Sequence, residues 1–507
     1  MPEPASASAA GPTAGPTGGP TGGPLTVVEV QQRVVAALER MGDVLGELGR
    51  RFADAGEEIA LVGGPVRDAM LGRLQQDLDL TTSARPEVTE RLLKGWADAI
   101  WDVGRAFGTI GCRKGPWQVE ITTYRSEAYD RTSRKPTVEY GDTLAGDLGR
   151  RDFTVNSMAL VLGPDGVGEP HLEDPFGGLV DLAQRTLRTP GAPEDSFSDD
   201  PLRMMRAARF AAQLGFEVDP DVVAAMTDMA QRVSIVSAER VREELVKLVC
   251  APEPRRGLLL LVRTGLASYV LPELPALALE RDEHHRHKDV YEHTLTVLEQ
   301  SIDLEDRLPE GGPDFVCRFA ALMHDIGKPR TRRFLDDGSV TFHHHDVVGA
   351  KLTRKRMQAL KFSGDVTDAV STLVELHLRF HGYGSGEWTD SAVRRYVRDA
   401  GPLLPWLHVL TRADCTTRNA RKAARLRRTY DDLEARIERL AEQEELEAVR
   451  PDLDGNQIME ILGIGPGREV GEAYRFLLEH RLDHGPVDPE QAERVLRDWW
   501  ASRGEQP

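Results

Sequence analysis

Two aspartates separated by one residue, Asp77 and Asp79, constrain this chain more than any other feature of its sequence. Acidic residues alternate with leucine here, which predicts a strand that carries both carboxylates on one face. Carboxylate oxygens placed in this way are ligands suited to Mg²⁺. Upstream, Gly63 and Gly64 lack a Cβ and would let backbone N–H groups approach phosphate closely. The pattern predicts a phosphate cradle beside a metal site; the alternative is a glycine turn followed by a solvated acidic loop.

Four short motifs follow one another in a fixed order along the chain. They are Gly63-Gly64-x-x-Arg67-Asp68, Asp77-x-Asp79, Arg150-Arg151-Asp152-Phe153-Thr154-Val155-Asn156 and Asp199-Asp200-x-x-Arg203. This succession resembles the class II tRNA nucleotidyltransferases, the group of CCA-adding enzymes, and bacterial poly(A) polymerases share the pattern. The resemblance runs from about residue 45 to about residue 485.

The length of the chain, 507 residues, exceeds what one compact core supports and predicts three or four domains. The net charge of −18 excludes a protein coated in basic surface, so contact with nucleic acid is expected from local clusters of Lys and Arg. The four cysteines form no C-x-x-C pair, which indicates reduced thiols and no zinc ribbon. No Lys or Arg precedes Arg33, and no apolar run reaches the ~18 residues that span a bilayer. We therefore expect no signal peptide, no membrane contact and a cytoplasmic location.

Residue patterns change twice along the chain. The first 27 residues repeat Gly, Pro and Thr with few large apolar side chains, which predicts a disordered leader. The next part mixes a helix over 28–52 with strands near 58–62, 78–81 and 118–123. Beyond about residue 195 amphipathic helices dominate, for example over 201–214, 238–249 and 289–304.

Carboxylates and arginines of the first three motifs are the predicted transfer site. Asp77 and Asp79 would hold Mg²⁺, which neutralises charge on the transferred phosphate and the leaving pyrophosphate. Glu120 lies on a second strand-like run, and the resemblance implies a third catalytic carboxylate there; an outward-facing strand residue is the alternative. Arg67 would contact the phosphates of the nucleotide, whereas the neighbouring aspartate of its motif would cap or orient the adjacent helix.

The later motifs are assigned by the resemblance. It implies that Arg150, Arg151 and Asp152 organise the ribose and phosphates of the incoming nucleotide; a surface ion-pair cluster is the alternative. It also implies that Asp200 and Arg203 read the base edge of C or A, because mismatched desolvated polar groups are costly. Helical spacing predicts that Arg206 and Arg209 continue the stripe that these two residues begin. The family has Glu where this chain has Asp at position 199, which leaves the role of that first carboxylate open.

A loop between residues 124 and 149 contains Arg131, Arg134 and Lys135. In the resembled family a loop at this place supports the switch from C to A addition. Its presence favours the complete CCA reaction.

A second metal site is predicted from histidines and aspartates in the order H…HD…D. His293, His324, Asp325 and Asp414 form the pattern, which resembles an HD-domain phosphohydrolase, and His345, His377 and His381 are further candidate ligands. Imidazole and carboxylate ligands suit a divalent metal that activates water against phosphoesters. A helical scaffold without activity is the alternative.

Basic residues are concentrated over 412–428, a segment that contains seven Lys or Arg residues and one acid, Asp414. A helix of this composition is suited to RNA phosphates, and a solvated helix face is the alternative. Near the C-terminus, glycine turns over 455–467 resemble the tail of the same enzymes and would either contact RNA or pack as a plain helical unit.

Together these observations predict an α+β fold. The expected order is a leader (1–27), a nucleotidyltransferase head with a small mixed β-sheet and helices (28–165), a helical neck with a nucleotide-recognition helix (166–255), a helical body with an HD phosphohydrolase-like domain (256–430) and a helical RNA-binding tail (431–507). The resemblance implies a CCA tRNA nucleotidyltransferase with tRNA, CTP and ATP as partners and Mg²⁺ as cofactor. The alternatives are a poly(A) polymerase and an RNA-binding scaffold whose catalysis has decayed.

Overall fold

The computed structural model describes residues 27–73, 76–128, 137–141, 143–163, 166–279, 290–336, 340–383, 388–415, 420–444 and 450–503. Residues 1–26 of the predicted leader and the loop residues Arg131, Arg134 and Lys135 lie outside these ranges. The chain divides into two compact units. One comprises Met1–Val236 with Ala251–Leu266, and the other Ser237–Cys250 with Ala267–Pro507.

A mixed seven-stranded sheet organises the first unit. Its strand order is β3-β4-β5-β2-β1-β8-β9, and the central pair β2 and β5 is parallel whereas the other neighbours are antiparallel. A hairpin of β6 and β7 and a short parallel pair of β10 and β11 lie outside this sheet. The strands are β1 (Ile59–Val62), β2 (Asp77–Thr82), β3 (Ala99–Trp101), β4 (Thr109–Lys114), β5 (Trp117–Thr123), β6 (Arg125–Ala128), β7 (Thr137–Tyr140), β8 (Ala159–Gly163), β9 (Gly166–Glu173), β10 (Thr186–Leu187) and β11 (Glu217–Val218).

Helices surround the sheet and continue the first unit beyond it. The long helix α1 packs against β8 and β9, and α7 packs against α10. At that crossing a Cβ on Gly257 would lie 2.4 Å from the carbonyl oxygen of Ala208, so only glycine permits this approach. The helices are α1 (Val27–Ala53), α2 (Gly64–Met70), α3 (Pro86–Leu93), α4 (Leu144–Gly149), α5 (Gly178–Gln184), α6 (Pro193–Asp199), α7 (Leu202–Leu214), α8 (Pro220–Met229), α9 (Ala238–Val249), which belongs to the second unit, and α10 (Pro254–Arg263).

Among its described residues the second unit is helical apart from one small hairpin. Its elements are α11 (Ala267–Val270), α12 (Glu273–Ala276), α13 (Val290–Ile302), α14 (Phe315–Met323), α15 (Lys328–Thr331), β12 (Arg333–Phe334), β13 (Val340–Thr341), α16 (His345–Ala359), α17 (Gly364–Leu376), α18 (Asp390–Ala400), α19 (Leu404–Ala413), α20 (Ala420–Glu444), α21 (Gly455–Leu462), α22 (Arg468–His484) and α23 (Pro489–Arg503). Helix α14 packs against α13, α17 and α19. The last three helices enclose a core of their own that includes Ile458, Leu477 and Leu496. Each such leucine contributes about 1.5–3 kcal/mol through burial.

The predicted fold class is confirmed: a small mixed sheet in the head is followed by a helical remainder. Residues 238–249 form a helix with the predicted bounds because Ser237 caps its first turn. The expectation that Asp200 and Arg203 share one helix was wrong. Asp200 is extended and precedes α7, so it does not share a helix with Arg203. No described helix is both long and apolar enough to cross a membrane.

Candidate active site and a second metal-ligand cluster

Three carboxylates lie on one face of the central parallel strand pair. Asp77 and Asp79 are exposed on β2, whereas the leucines between and after them are buried. Glu120 is exposed on β5 and is the direct register partner of Asp79. Directly paired residues of neighbouring strands point to the same face, so the three side chains converge. Hard oxygen ligands in this arrangement fit a site for Mg²⁺.

The pKa of Asp79 reflects this crowding. Desolvation by the surrounding protein raises its pKa, Arg151 lowers it, and the neighbouring Glu120 and Asp77 raise it further. The side chain nevertheless remains accessible at the sheet surface. Like charges held together in this way repel one another, and a bound cation would relieve the repulsion.

The turn between β1 and α2 places glycine backbone beside the guanidinium of Arg151. Gly63 has φ 72° and ψ −133°, which disfavours any residue with a Cβ. A Cβ at that position would lie 2.8 Å from Arg151 Nη1. The next residue, Gly64, opens α2. Glycine backbone without side chains and the Arg151 guanidinium therefore lie side by side at this turn.

A buried chain of polar contacts joins three of the sequence motifs. Arg67 donates to both carboxylate oxygens of Asp68, at 2.9 and 3.0 Å, and through Nη1 to Asn156 Oδ1 at 2.6 Å. Asn156 donates in turn to Asp152 Oδ1 at 2.9 Å, and Arg206 donates from Nε to Asp152 Oδ2 at 2.7 Å. The chain links the glycine turn, the Arg150-Arg151-Asp152 motif and α7. Arg67, for which phosphate contact was predicted, is thus buried within this network.

Asp152 is ionised within the network. Burial alone would raise its pKa, but Arg206 and the amide of Asn156 outweigh burial and hold the pKa well below its usual range. A buried carboxylate that accepts several charge-assisted hydrogen bonds is strongly fixed in position.

Asp147 is a site residue that the sequence reasoning missed. It is fully buried and accepts from Arg150 Nη2 at 2.6 Å and from Arg151 Nη2 at 3.3 Å. It also accepts from Thr81 Oγ1 at 3.2 Å, two residues after Asp79 on β2. Burial raises its pKa, but the two arginines outweigh burial and the net shift is downward. The spacing of three and four residues from a paired arginine was the available signal.

Arg203 and Arg209 lie buried on α7. Arg203 donates from Nη1 to Ser196 Oγ at 2.9 Å and from Nη2 to the carbonyl oxygen of Arg150. Asp200 is half-buried and accepts from the backbone N–H of Leu202 at 3.1 Å. These contacts attach the start of α7 to the arginine motif.

Six residues predicted as ligands of a second metal site meet in the second unit. His293 Nε2 lies 2.9 Å from Asp414 Oδ1. Asp325 approaches two rings, with Oδ2 3.2 Å from His324 Nε2 and Oδ1 3.3 Å from His345 Nε2. The candidate ligand atoms form two groups, each within 4.8 Å: His293, His324 and Asp414, and Asp325, His345 and His377. The side chain of His381 lies outside the described residues.

Backbone carbonyls orient the imidazoles of this cluster. Nδ1 of His324, His345 and His377 each lies within 2.8 Å of the carbonyl oxygen three residues earlier. A ring that donates from Nδ1 offers the lone pair of Nε2 to a metal. Nε2 of His377 is buried and forms no hydrogen bond among the described residues. This orphaned atom fits a metal ligand.

Protonation in the cluster supports the same interpretation. Burial and the nearby His324 lower the pKa of His377 to about 3, so its ring is neutral. Burial alone would lower the pKa of His324, but Asp325 and Asp414 raise it to about 9. The carboxylates of Asp325 and Asp414 therefore stabilise positive charge within the cluster, and a bound divalent cation would provide such a charge.

The predicted basic helix over 412–428 is interrupted, because α19 ends at Ala413 and α20 begins at Ala420. Arg412 pairs with Asp431 and Glu434 at 2.8 and 2.9 Å and is not a free surface cation. Within residues 412–428 the exposed basic side chains on α20 are Arg421, Lys422, Arg425, Arg427 and Arg428, whereas Arg418 lies outside the described residues.

Three family models match the chain in succession. Residues 59–188 match the poly A polymerase head domain, residues 215–277 the probable RNA and SrmB-binding site of polymerase A, and residues 290–441 the HD domain. The A-adding tRNA nucleotidyltransferase of Deinococcus radiodurans is 35% identical over 447 residues, which cover 87% of this chain and 95% of that protein. The chain belongs to the tRNA nucleotidyltransferase and poly(A) polymerase family.

One CCA-adding enzyme aligns in sequence with part of this nucleotidyltransferase, whereas solved structures of CCA-adding enzymes cover most of it. The CCA-adding enzyme of Levilactobacillus brevis is 42% identical over 216 residues, which cover 42% of this chain and 52% of that protein. The crystal structure of the Bacillus stearothermophilus CCA-adding enzyme in complex with CTP covers 92% of the chain and 98% of its own, with a TM-score of 0.62 and 24% identity. The Thermotoga maritima CCA-adding enzyme complexed with tRNA covers 93% and 98%, with a TM-score of 0.57 and 19% identity. The solved structures establish the likeness of fold.

Proposed function

We propose that this nucleotidyltransferase builds or repairs the 3′-terminal CCA of tRNA from CTP and ATP without a nucleic-acid template. The observation that carries the proposal is the convergence of Asp77, Asp79 and Glu120 on one face of the sheet. The curated relatives and solved structures named CCA-adding enzymes support the same substrates. The RNA 3′-hydroxyl oxygen would bond to the α-phosphorus, and the bond to the β-phosphate would break and release pyrophosphate.

The three carboxylates would hold Mg²⁺, which when bound would neutralise charge on the transferred phosphate. Arg151 lies next to the glycine turn, and its charge lowers the pKa of Asp79. We therefore propose that Arg151 binds the phosphates of the nucleotide. The backbone at Gly63 leaves room for a phosphate oxygen that a Cβ would displace.

Asp147 would act as a positioning residue for both arginines of the motif. Its carboxylate binds Arg150 and Arg151 while Thr81 ties it to the strand of the catalytic aspartates. A guanidinium held in this way needs no reorganisation when charge develops on the phosphate.

Arg67 takes a similar place on the other side of the motif. It binds Asn156, which binds Asp152, and that carboxylate is fixed by Arg206. We propose that this buried chain sets the position of the arginine motif relative to the glycine turn, and that Asp152 contributes to the ribose site.

Selection of C and A is assigned to Asp200 and Arg203, following the family motif. Contacts to Ser196 and to the Arg150 carbonyl fix the guanidinium of Arg203 beside the arginine motif. A fixed donor group and a carboxylate would discriminate against bases whose edges leave them unpaired. We assign Arg206 and Arg209 to support of this group, since Arg206 binds Asp152 and Arg209 lies over the Phe210 ring at 3.9 Å.

The test uses tRNA transcripts that lack one, two or three nucleotides of the CCA end. Each is incubated with CTP, ATP or both, and the 3′ ends are sequenced. Completion to CCA with a stop there supports the proposal, whereas long A tails from ATP alone would establish a poly(A) polymerase. Catalytic decay predicts no incorporation on any transcript.

Addition of the terminal A alone is a second candidate activity. The Deinococcus radiodurans relative, which matches over nearly its whole length, is named an A-adding enzyme. This activity would extend only the transcript that already ends in CC, and only with ATP. The same experiment therefore separates it from complete CCA addition.

For the second unit we propose a metal-dependent phosphohydrolase at the cluster of His293, His324, Asp325, His345, His377 and Asp414. The buried Nε2 of His377 and the two groups of candidate ligand atoms support the binding of a divalent metal. Such a metal, when bound, would supply activated water. The water oxygen would bond to phosphorus, and the bond to the leaving alcohol oxygen would break. Hydrolysis of bis(p-nitrophenyl) phosphate with Mg²⁺, Mn²⁺, Co²⁺ or Ni²⁺ tests this activity, and its loss in His377→Ala but not in Asp77→Ala would assign it to the cluster.

A further inference from the structure

Between two candidate metal ligands of the second unit, Asp325 and His345, the chain makes an excursion through residues 328–342, which we call the basic arm. It comprises α15 and the antiparallel pair of β12 and β13, in which Phe334 is the register partner of Val340. Residues 337–339 lie outside the described part of the arm.

The base of the basic arm is fixed on the metal-ligand cluster. Lys328 Nζ lies 2.8 Å from Asp325 Oδ2, and the carbonyl oxygen of Phe342 lies 2.8 Å from His345 Nδ1. A Cβ on Gly327 would lie 2.1 Å from the carbonyl oxygen of His345, so the two ends of the excursion are in direct backbone contact. Phe342 itself is buried. The arm therefore begins and ends at the candidate hydrolytic site.

The outer part of the arm combines an exposed aromatic ring with exposed cations. Phe334 is 71% exposed, and the neighbouring Leu335 is 47% exposed. Arg330, Arg332 and Arg333 are exposed as well, and Arg332 Cζ lies 5.2 Å from the centre of the Phe334 ring. Over residues 328–342 four basic residues stand against two acids, whereas the whole chain has a net charge of −18. The outer part of the arm therefore presents positive charge beside an unburied phenyl ring.

We propose that the basic arm binds single-stranded RNA and brings its phosphorylated end to the metal-ligand cluster. Guanidinium groups match phosphate in charge and geometry, and an exposed aromatic ring stacks on a nucleobase. The positive charge of the arm favours a polyanion as its partner, and the exposed Phe334 ring favours a polyanion that carries bases. The proposal names the substrate class of the phosphohydrolase proposed above and rests on that function for its catalytic part.

The length of the arm agrees with this role. One helical turn over Lys328–Thr331 and three extended residues place Phe334 at most about 15 Å along the chain from the cluster. Stacked nucleotides advance by ~3.4 Å each, so a ring at that distance is within reach of about four bases from the reacting phosphate. A ten-nucleotide RNA is therefore long enough as a probe.

The first measurement is photo-crosslinking of the full-length protein to a ten-nucleotide single-stranded RNA with a 3′-phosphate and a 4-thiouridine four positions from that end. Crosslinked peptides are mapped by mass spectrometry, and affinity is measured by fluorescence anisotropy over a range of salt. We expect crosslinks within residues 328–336. The double variant Arg330→Glu with Arg333→Glu should bind about tenfold more weakly with a smaller salt slope, and Phe334→Ala about fivefold more weakly.

Matched controls separate the arm from general charge and exposure. Lys351→Glu with Lys355→Glu makes the same charge change on exposed positions of α16, and Phe107→Ala removes another half-exposed ring from the first unit. Both controls should bind within twofold of the unchanged protein. Crosslinks that map elsewhere, together with unchanged affinity of the arm variants, would overturn the proposal.

Hydrolysis distinguishes this proposal from the phosphohydrolase itself. If the metal-loaded protein cleaves bis(p-nitrophenyl) phosphate, the arm variants should raise KM for the RNA 3′-phosphate about tenfold and leave the small substrate unaffected. If it cleaves neither substrate, the hydrolase proposal fails, while crosslinks at the arm would still establish RNA binding there. If both substrates are cleaved and the KM for each is the same in the arm variants and the unchanged protein, the proposal that the arm binds RNA is wrong. The phosphohydrolase proposal is supported by that outcome.

Discussion

Asp79 on β2 and Glu120 on β5 are direct partners in the parallel register of the central strand pair. Asp77 shares their face two residues away, so the first unit holds three carboxylates together at its sheet surface. This relationship connects residues 41 positions apart and makes specific outcomes of substitution predictable.

Removal of one carboxylate should abolish transfer and spare RNA binding. We expect Asp77→Ala, Asp79→Ala or Glu120→Gln to lower the rate of CTP and ATP incorporation by at least about 10³-fold, because each removes a ligand for the metal that neutralises the phosphate. Single-turnover incorporation and tRNA affinity measure the two effects. The exposed Asp54→Ala at the end of α1 is the control. Retained transfer in Asp79→Ala would refute the metal assignment.

The same crowding predicts that activity and stability oppose one another at Asp79. Its pKa is raised in the folded state, so the folded protein is favoured when this carboxyl is protonated, and that advantage is lost as pH rises through the raised pKa. Asp79→Asn should therefore increase Tm by about 1–2 °C at neutral pH without bound metal, and the gain should shrink as pH falls. Thermal unfolding at several pH values measures it. A lower Tm at neutral pH would contradict the repulsion.

Asp147→Asn tests the positioning role of that buried carboxylate. Loss of its charge should free Arg150 and Arg151, lower kcat about 100-fold and leave tRNA affinity within about threefold. Asp147→Ala should also destabilise the protein by about 3 kcal/mol, since two arginines lose a buried partner. Thr81→Val, which removes one neutral hydrogen bond to the same carboxylate, is the matched milder variant. Equal loss of tRNA affinity and kcat in Asp147→Asn would point to a folding defect instead.

Arg206→Ala should leave the ionised Asp152 buried without its cation. We expect a loss of about 2 kcal/mol in the free energy of unfolding, less than for a fully buried pair because Arg206 is about one-third exposed. The pKa of Asp152 is depressed, so the contribution of the pair is complete above the ordinary value of 3.8 and disappears as pH falls below it. The difference between variant and unchanged protein should thus be constant near neutral pH and vanish in acid. Denaturant unfolding of Arg206→Ala and of the unchanged protein, at neutral pH and in acid, measures this difference.

Metal binding to the histidine cluster should be separable from nucleotide transfer. We expect His377→Ala to lower the bound divalent metal measured by elemental analysis, with CCA addition unchanged. Binding should release protons: despite burial, Asp325 and Asp414 raise the pKa of His324 to about 9, so its ring carries a proton that a bound cation would displace. Calorimetry in buffers of different ionisation enthalpy measures that release. His343→Ala, adjacent in sequence to the cluster but outside it, is the control. Equal metal content in both variants would remove His377 from the ligand set.

Local sequence patterns predicted several elements well. The alternation at Asp77 and Asp79 predicted the exposed face of β2, and the amphipathic pattern over 238–249 predicted α9 with its bounds. The pattern failed at Asp200, because the proline that follows it and the end of α6 separate it from α7. The apparent basic helix over 412–428 failed for a similar reason, since two helices share that charge run.

By itself the sequence determined the order of the motifs, the Asp77-x-Asp79 pair and the four residues of the H…HD…D pattern, because these depend on residue type and short spacing, whereas Glu120 was predicted from the resemblance. Only the tertiary structure decided that Arg67 binds Asn156, 89 positions away, rather than facing solvent. It also decided that Asp147 accepts hydrogen bonds from Arg150 and Arg151 and that His345 and His377 lie beside Asp325. Such contacts join elements that are distant in the chain, and their partners are set by packing, burial and the need to satisfy buried charge.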